Sequence, residues 1–345
     1  MISSDELVDV TQEGTILLGP DVICDGFYYG AKVRVQSHVH TDHMQDFSTS
    51  KGLQTILMSH ATYDLIVLEK NAEIPNRITI KSIGNNTPYK IGKSEILILD
   101  SGHMLGAIQT QVTLSNGKRI GYSGDFNWPL TEIIEVDTLI VDCTGGSSKR
   151  EYHYTQEDAN LSLIELVVEK LRQGPIMLQA YRGTLQYALT ILSSEINVDL
   201  ICPPDIYKEL EIYQKHSYNI SKFSLADSKE GRELINSERY IYICDARKHN
   251  PAISHDSLVT IQLSAYMTGH KHPVLEFSNK SYRIALSGHA DFDGTLAYIE
   301  ATGAKEIITD NTRAGHAIEL AEEIKSRLNI EARPSSNGLT NDWYH

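Results

Sequence analysis

The residues that most constrain this chain are His38-Val39-His40-Thr41-Asp42-His43, which follow directly on an apolar, alternating run at 32 to 36 (KVRVQ). Imidazole nitrogens and a carboxylate at this spacing are donors of borderline softness that suit zinc, with manganese an acceptable substitute. His38 and His40, one residue apart on an extended loop, can face one metal ion, while Asp42 and His43 stand just beyond them and can serve a second. One such run cannot fill two coordination shells, so further ligands are expected at other strand ends. The run at 95 to 100 (EILILD) leads into Ser101-Gly102-His103, where Gly102 lets the backbone turn. The run at 119 to 123 (RIGYS) leads into Gly124-Asp125, whose carboxylate has two oxygens with which to bridge two cations.

These strand ends need a fold that gathers them on one edge. The first 140 residues read as short strands, among them 53 to 58, 108 to 114 and 137 to 142, with one helix at about 61 to 68. From Thr155 the period changes: Leu163, Leu166, Val167 and Leu171 mark a helix that closes at Gly174-Pro175. Strands at 176 to 180, 199 to 202, 239 to 244 and 258 to 263 then alternate with helices, which predicts a small parallel sheet. Strand 282 to 287, helix 292 to 301, strand 305 to 309 and helix 315 to 327 complete the chain. The fold class expected is α/β, with one domain from 1–172 and 281–345 and an inserted βα domain at 173–280.

Composition limits the partners. At 345 residues and 41% apolar content, the chain can bury a substantial core without staples. Cys24, Cys143, Cys202 and Cys244 form no C-x-x-C pair and read as buried apolar thiols. No leader or membrane-length apolar run is seen, so a cytoplasmic address and no membrane partner are expected. The net charge of -14 opposes a polyanionic partner, yet residues 173 to 280 carry 11 basic and 12 acidic side chains, so the flanks hold nearly all of the excess. Bound cations would offset that acidity where the ligands lie.

The ligand order His38, His40, Asp42, His43, then His103, then Asp125 resembles the motifs of the metallo-β-lactamase superfamily, whose αββα sandwich would cover roughly 14 to 145 and 281 to 335. By that resemblance His38, His40, His103 and Asp125 would hold a first zinc, and Asp42, His43 and the bridging Asp125 a second. Asp142-Cys143-Thr144-Gly145-Gly146 looks like motif A of the β-CASP nucleases, and Ser287-Gly288-His289-Ala290-Asp291 is similar to their motif B. Gly183-x-x-Gln186 resembles a pattern found early in the β-CASP insertion. At motif C the chain departs: RNA-acting members carry a histidine, DNA-acting members an apolar residue, and here Asp310-Asn311 stands, so that Asp310 or His316 is the candidate replacement.

The resemblance implies a zinc-dependent nuclease acting on single-stranded nucleic acid. RNA processing, including mRNA 3′-end processing, is favoured, with DNA exonuclease action of the ligase-associated or crosslink-repair type as the alternative. A small-molecule metallo-hydrolase and an inactive scaffold are the competing readings, and a homodimer is compatible with either. The catalytic set expected is Asp42, Asp142 and His289, with His289 protonating the departing oxygen and Asp142 orienting its ring. Tyr181 and Arg182, at a strand end, are candidates for stacking on a base and contacting phosphate. His270 and His272 sit in a Gly and Pro turn and read as a surface loop.

Overall fold

The computed structural model describes residues 7–70, 73–148, 154–247, 256–264, 271–313 and 315–336. The chain divides into two compact units, Met1–Lys149 with His289–His345, and Arg150–Gly288. In chain order the strands of the first unit are β1 (Val8–Val10), β2 (Ile16–Leu18), β3 (Val22–Cys24), β4 (Val33–Val35), β5 (Thr55–Ser59), β6 (Ile80–Ile83), β7 (Tyr89–Ile91), β8 (Ser94–Asp100), β9 (Ile108–Thr113), β10 (Arg119–Tyr122) and β11 (Thr138–Val141). Helices α1 (Phe47–Leu53) and α2 (His60–Lys70) lie among them. The second unit holds α3 (Gln156–Leu171), β12 (Ile176–Ala180), α4 (Thr184–Glu195), β13 (Leu200–Cys202), α5 (Pro204–Lys215), β14 (Phe223–Leu225), α6 (Lys229–Asn236), β15 (Ile241–Asp245), β16 (Val259–Ser264), β17 (Val274–Ser278) and β18 (Ser281–Ala285). The chain then returns to the first unit with α7 (Phe292–Thr302), β19 (Glu306–Thr309), α8 (Ala317–Leu328) and β20 (Glu331–Pro334).

The first unit contains two sheets, ordered β1-β2-β3-β4-β5-β6 and β20-β19-β11-β10-β9-β8-β7. They face each other across one core: Val10, Ile16, Val33, Val35 and Leu57 from the first meet Ile96, Ile98, Val112, Ile120 and Ile308 from the second. The far face of the second sheet carries Leu139, Val141 and Ile307, packed under Ile299 of α7 and Leu320 and Ile324 of α8. Helices α1 and α2 pack against β5 and β6. Alternation along β4 explains its part in this layering: Val33 and Val35 face the shared core, which turns Arg34 and Gln36 to the other side.

The second unit is built on a sheet ordered β14-β13-β15-β12-β16-β18-β17, parallel throughout except for the antiparallel edge pair β17–β18. The capping box between Thr155 and Asp158 starts α3 where the apolar period begins. The expected domain limits of 1–172, 173–280 and 281–345 shift: α3 packs on β12 and β18, and β18 pairs with β16, so 150 to 172 and 281 to 288 go with the second unit. No helix among the described residues is long and apolar enough to cross a membrane.

Candidate metal centre

The site assembles because strands of both sheets in the first unit end at one edge. His38 lies three residues past the end of β4 and is tied to the facing sheet by the Ile108 amide, which donates to the Ser37 carbonyl at 3.1 Å. A 3-10 turn over Thr41–His43 then carries Asp42 and His43. His103 follows β8 through Gly102, whose φ of 68° is the left-handed turn that glycine adopts freely. Asp125 follows β10, Asp142 follows β11, and His289 stands just ahead of α7.

Asp125 is the centre of the arrangement. Its Oδ2 lies 3.5 Å from His38 Nε2, 3.7 Å from His103 Nε2 and 3.9 Å from His289 Nε2. Its Oδ1 lies 3.2 Å from His43 Nε2, which is 3.6 Å from Asp42 Oδ2. His40 Nδ1 is 3.2 Å from His103 Nε2. One donor atom from each of His38, His40, His103 and Asp125 falls within 4.8 Å of the others, as holds for Asp125, Asp142 and His289. This His and Asp cluster can therefore hold a metal ion. Its chemistry fits one: the Nε2 atoms of His38 and His43 are buried and have no hydrogen-bond partner among the described residues, a costly condition that a coordinated cation relieves.

A second layer fixes which nitrogen of each ring is free. Asp25, fully buried, accepts from Ser37 Oγ at 2.5 Å and from the Ser37 amide at 2.7 Å, and its Oδ2 sits 2.7 Å from His43 Nδ1. Ser37 Oγ in turn meets His38 Nδ1 at 2.9 Å. With both Nδ1 atoms engaged by these oxygens, the Nε2 atoms of His38 and His43 face Asp125. Ser101 Oγ donates to the Asp125 carbonyl at 2.7 Å and steadies that loop.

Asp142 holds His289 in the same manner. Its Oδ2 lies 3.0 Å from His289 Nδ1, while its Oδ1 accepts from the Thr144 amide and hydroxyl at 2.9 and 2.8 Å. Gly145 makes the pairing reachable, because a Cβ there would stand 2.1 Å from the Ala290 carbonyl oxygen. Gly145→Ala is expected to cost about 1–3 kcal/mol through overpacking. It should lower the melting temperature and turnover together while bound metal is retained, as metal analysis of the folded variant would check.

The electrostatics follow from burial opposed by carboxylates. Burial and the neighbouring imidazoles push His38 down and His40 well down. Burial also acts to lower His43, but Asp125 and Asp25 outweigh it and carry the ring up to about 10. Burial would raise Asp125 and Asp25; the imidazole of His43 instead holds both below the usual carboxylate range. At His289 burial again acts downward, and the hydrogen bond and charge of Asp142 raise the imidazole to about 9.

Other expected residues fall elsewhere. Asp310 follows β19 but turns away: its Oδ1 accepts from the Thr312 amide and hydroxyl at 2.9 and 2.6 Å, and its Oδ2 pairs with Arg313 at 2.5 Å. His316 Nδ1 is directed to Glu319 Oε2, 3.9 Å away. Neither joins the donor groups found among the described residues, since a turn and a buried guanidinium take up the Asp310 carboxylate. In the second unit, Tyr181 is exposed under the Arg247 guanidinium, whereas Arg182 is largely buried and donates to Glu209 Oε1 at 2.9 Å. Of that pair Tyr181 is the accessible member. His272 is exposed, and His270 lies outside the described residues. All four cysteines are free and buried.

Asp25, Ser37, Arg34 and Gln36 support the site from outside any motif in the sequence. The available signal was the alternation of KVRVQ, which places two polar residues on one face of a strand that opens directly onto the histidine run.

No protein-family model matches the chain. Its fold is similar to that of a crystal structure of a protein of unknown function from Enterococcus faecalis V583, with a TM-score of 0.57 at 15% identity, over 89% of this chain and 80% of that one. It is also similar to an uncharacterized protein in the lig 3′ region of Acidianus ambivalens, 36% identical over 104 residues, which span 30% of this chain and 74% of that protein. The donor cluster described above therefore stands in a chain that belongs to the family of that Acidianus protein.

Proposed function

We propose that the chain is a two-zinc phosphodiesterase of the metallo-β-lactamase superfamily, β-CASP branch, which cuts single-stranded nucleic acid, with RNA favoured over DNA. The observation that carries this reading is the Asp125 carboxylate, whose Oδ2 faces His38 and His103 and whose Oδ1 faces His43, beside the His289–Asp142 pair. His38, His40, His103 and Asp125 would hold one ion, and Asp42, His43 and Asp125 the other; manganese fits the same donors. Two facing sheets flanked by helices, and a parallel βα unit between motifs A and B, agree with the αββα sandwich and its insertion.

Bound ions would supply a nucleophile at neutral pH and neutralise charge on the phosphodiester. The chain's own residues supply the rest. Asp142 Oδ2 accepts from His289 Nδ1, which directs Nε2 toward the site and favours the protonated ring. That Nε2 proton goes to the departing oxygen. Asp25 and Ser37 keep the rings of His43 and His38 from turning.

A pH dependence follows. His289 is raised to about 9, above the ordinary imidazole value of about 6.5, so its pairing with Asp142 stabilises the fold fully below the unfolded value. The contribution is lost as pH rises through the folded one. Turnover should fall on an alkaline limb no higher than about pH 9, since nearby metal charge can only lower the ring's pKa. Asp142→Asn should move that limb toward lower pH, as pH–rate profiles of the two proteins would check.

A second reading, a deoxyribonuclease of the ligase-associated type, is favoured by one observation: the Acidianus relative is described by its place in a lig 3′ region. Zinc-loaded protein incubated with 5′- and 3′-labelled single-stranded RNA and DNA, and separately with a thioester and a lactone, separates the readings. Cleavage of RNA ahead of DNA is expected. Faster cleavage of DNA selects the second reading, and turnover of the small esters without cleavage of either strand overturns both.

A further inference from the structure

Arg34 is fully buried, yet every hydrogen-bond acceptor assigned to its guanidinium is neutral. Its NH1 donates to the carbonyls of Gly26 and Gln45 at 2.9 and 2.7 Å and to Ser50 Oγ at 3.2 Å. Its NH2 donates to the His43 carbonyl at 2.9 Å and to Gln36 Oε1 at 2.7 Å, and its Nε reaches the same Gln36 oxygen at 3.1 Å. Gln36 Nε2 passes the connection on to the carbonyls of His38 and His43 at 2.7 and 2.9 Å. Asp25 and Asp46 act on the guanidinium through charge alone, and a buried cation whose hydrogen bonds among the described residues all go to neutral acceptors is an expensive occupant of a strand. What it gains here is position.

In the turn from Thr41 to Asp46 the His43 and Met44 amides return to His40 and Thr41, and the Phe47 and Ser50 amides return to Met44 and Asp46. The carbonyls of His43 and Gln45 are gripped from below by Arg34. That turn carries Asp42 and His43. Among the described residues Arg34 makes no hydrogen bond to the donors of the other group: His103 and Asp125 come from the ends of β8 and β10, and the ring of His38 is fixed by Ser37, Gln36 alone reaching the His38 carbonyl.

We propose that Arg34 is a positioning residue that presents Asp42 and His43 to the second metal ion, so that its loss weakens the second position and spares the first. The inference rests on the two-metal reading given above. Effects of this kind, exerted through groups behind the ligands, typically weaken metal affinity about 10–100-fold.

The test compares wild type, Arg34→Met, Arg34→Lys and Ser50→Ala. Ser50→Ala removes a guanidinium partner outside the ligand turn and serves as the control. Each protein is titrated with Mn2+ under electron paramagnetic resonance, and its zinc content is measured after gel filtration, with circular dichroism and cooperative melting as the record of folding. Wild type and Ser50→Ala should hold two ions. Arg34→Met should hold one, with the second bound about 10–100-fold more weakly, and Arg34→Lys should recover part of that loss. If Arg34→Met does not fold, Arg34→Lys and Arg34→Gln are judged by the same criterion. A folded variant that binds both ions as wild type does, or that weakens both equally, overturns the proposal. Wild type that takes up a single ion overturns the two-metal reading, and this inference falls with it.

Discussion

Asp125→Asn is expected to empty both metal positions and to lower turnover by on the order of 10³-fold or more. The side chain keeps its shape in this variant, so the effect isolates the charge. That one carboxylate stands 3.5 and 3.7 Å from His38 and His103 through Oδ2 and 3.2 Å from His43 through Oδ1, so both groups of donors lose their shared anion together. Metal ions contribute several kcal/mol of transition-state stabilisation in reactions of this class, and each ~1.36 kcal/mol is a factor of ten in rate. Zinc analysis and single-turnover cleavage would read both losses. Retention of two zinc ions by the variant would count against Asp125 as the bridge.

His289→Ala has the second largest expected effect and a different signature. Removing a general acid typically costs about 10²–10⁴-fold in rate, and here the ring is not needed by either proposed ion. The variant should lose turnover while keeping its full zinc content. The competing outcome is specific, because Asp125, Asp142 and His289 also bring donor atoms within 4.8 Å of one another. Loss of an ion in His289→Ala would make the histidine a ligand and move the proton donor elsewhere. Asp142→Asn should show a milder loss, since it leaves the imidazole in place and removes what orients and charges it.

The donor cluster was legible in sequence because ligands must occupy strand ends at set spacings, and the structure brings His38, His40, His103 and Asp125 together from three separate stretches. Asp142 and His289 were legible as a pair only through motif resemblance; Gly145 supplies the physical reason the two loops can touch. What was hidden lies behind the ligands. Asp25 follows a strand of three residues, too short to carry a period, and nothing local indicates that its partner is eighteen residues on. Arg34 belongs to no spacing that marks a site, and its face is closed over by the turn it holds.

The fold shows the same division. Apolar periodicity identified α3 as a helix but could not say which sheet receives it, and packing on β12 and β18 moved it into the second unit. The strand before Asp310 was placed correctly, at Glu306–Thr309. Its carboxylate is turned to Arg313, which belongs to a turn whose geometry the spacing does not encode.

The central claim, that this cluster cuts phosphodiester bonds with bound metal, is tested most directly by following cleavage as the centre is emptied and refilled. Chelator-stripped protein would be titrated with zinc while single-turnover cleavage of an end-labelled single-stranded oligonucleotide and metal content are measured on the same samples. The account predicts no cleavage when stripped, recovery that tracks occupancy, and saturation at two ions per chain. Cleavage by fully stripped protein, or none at full occupancy, would contradict it.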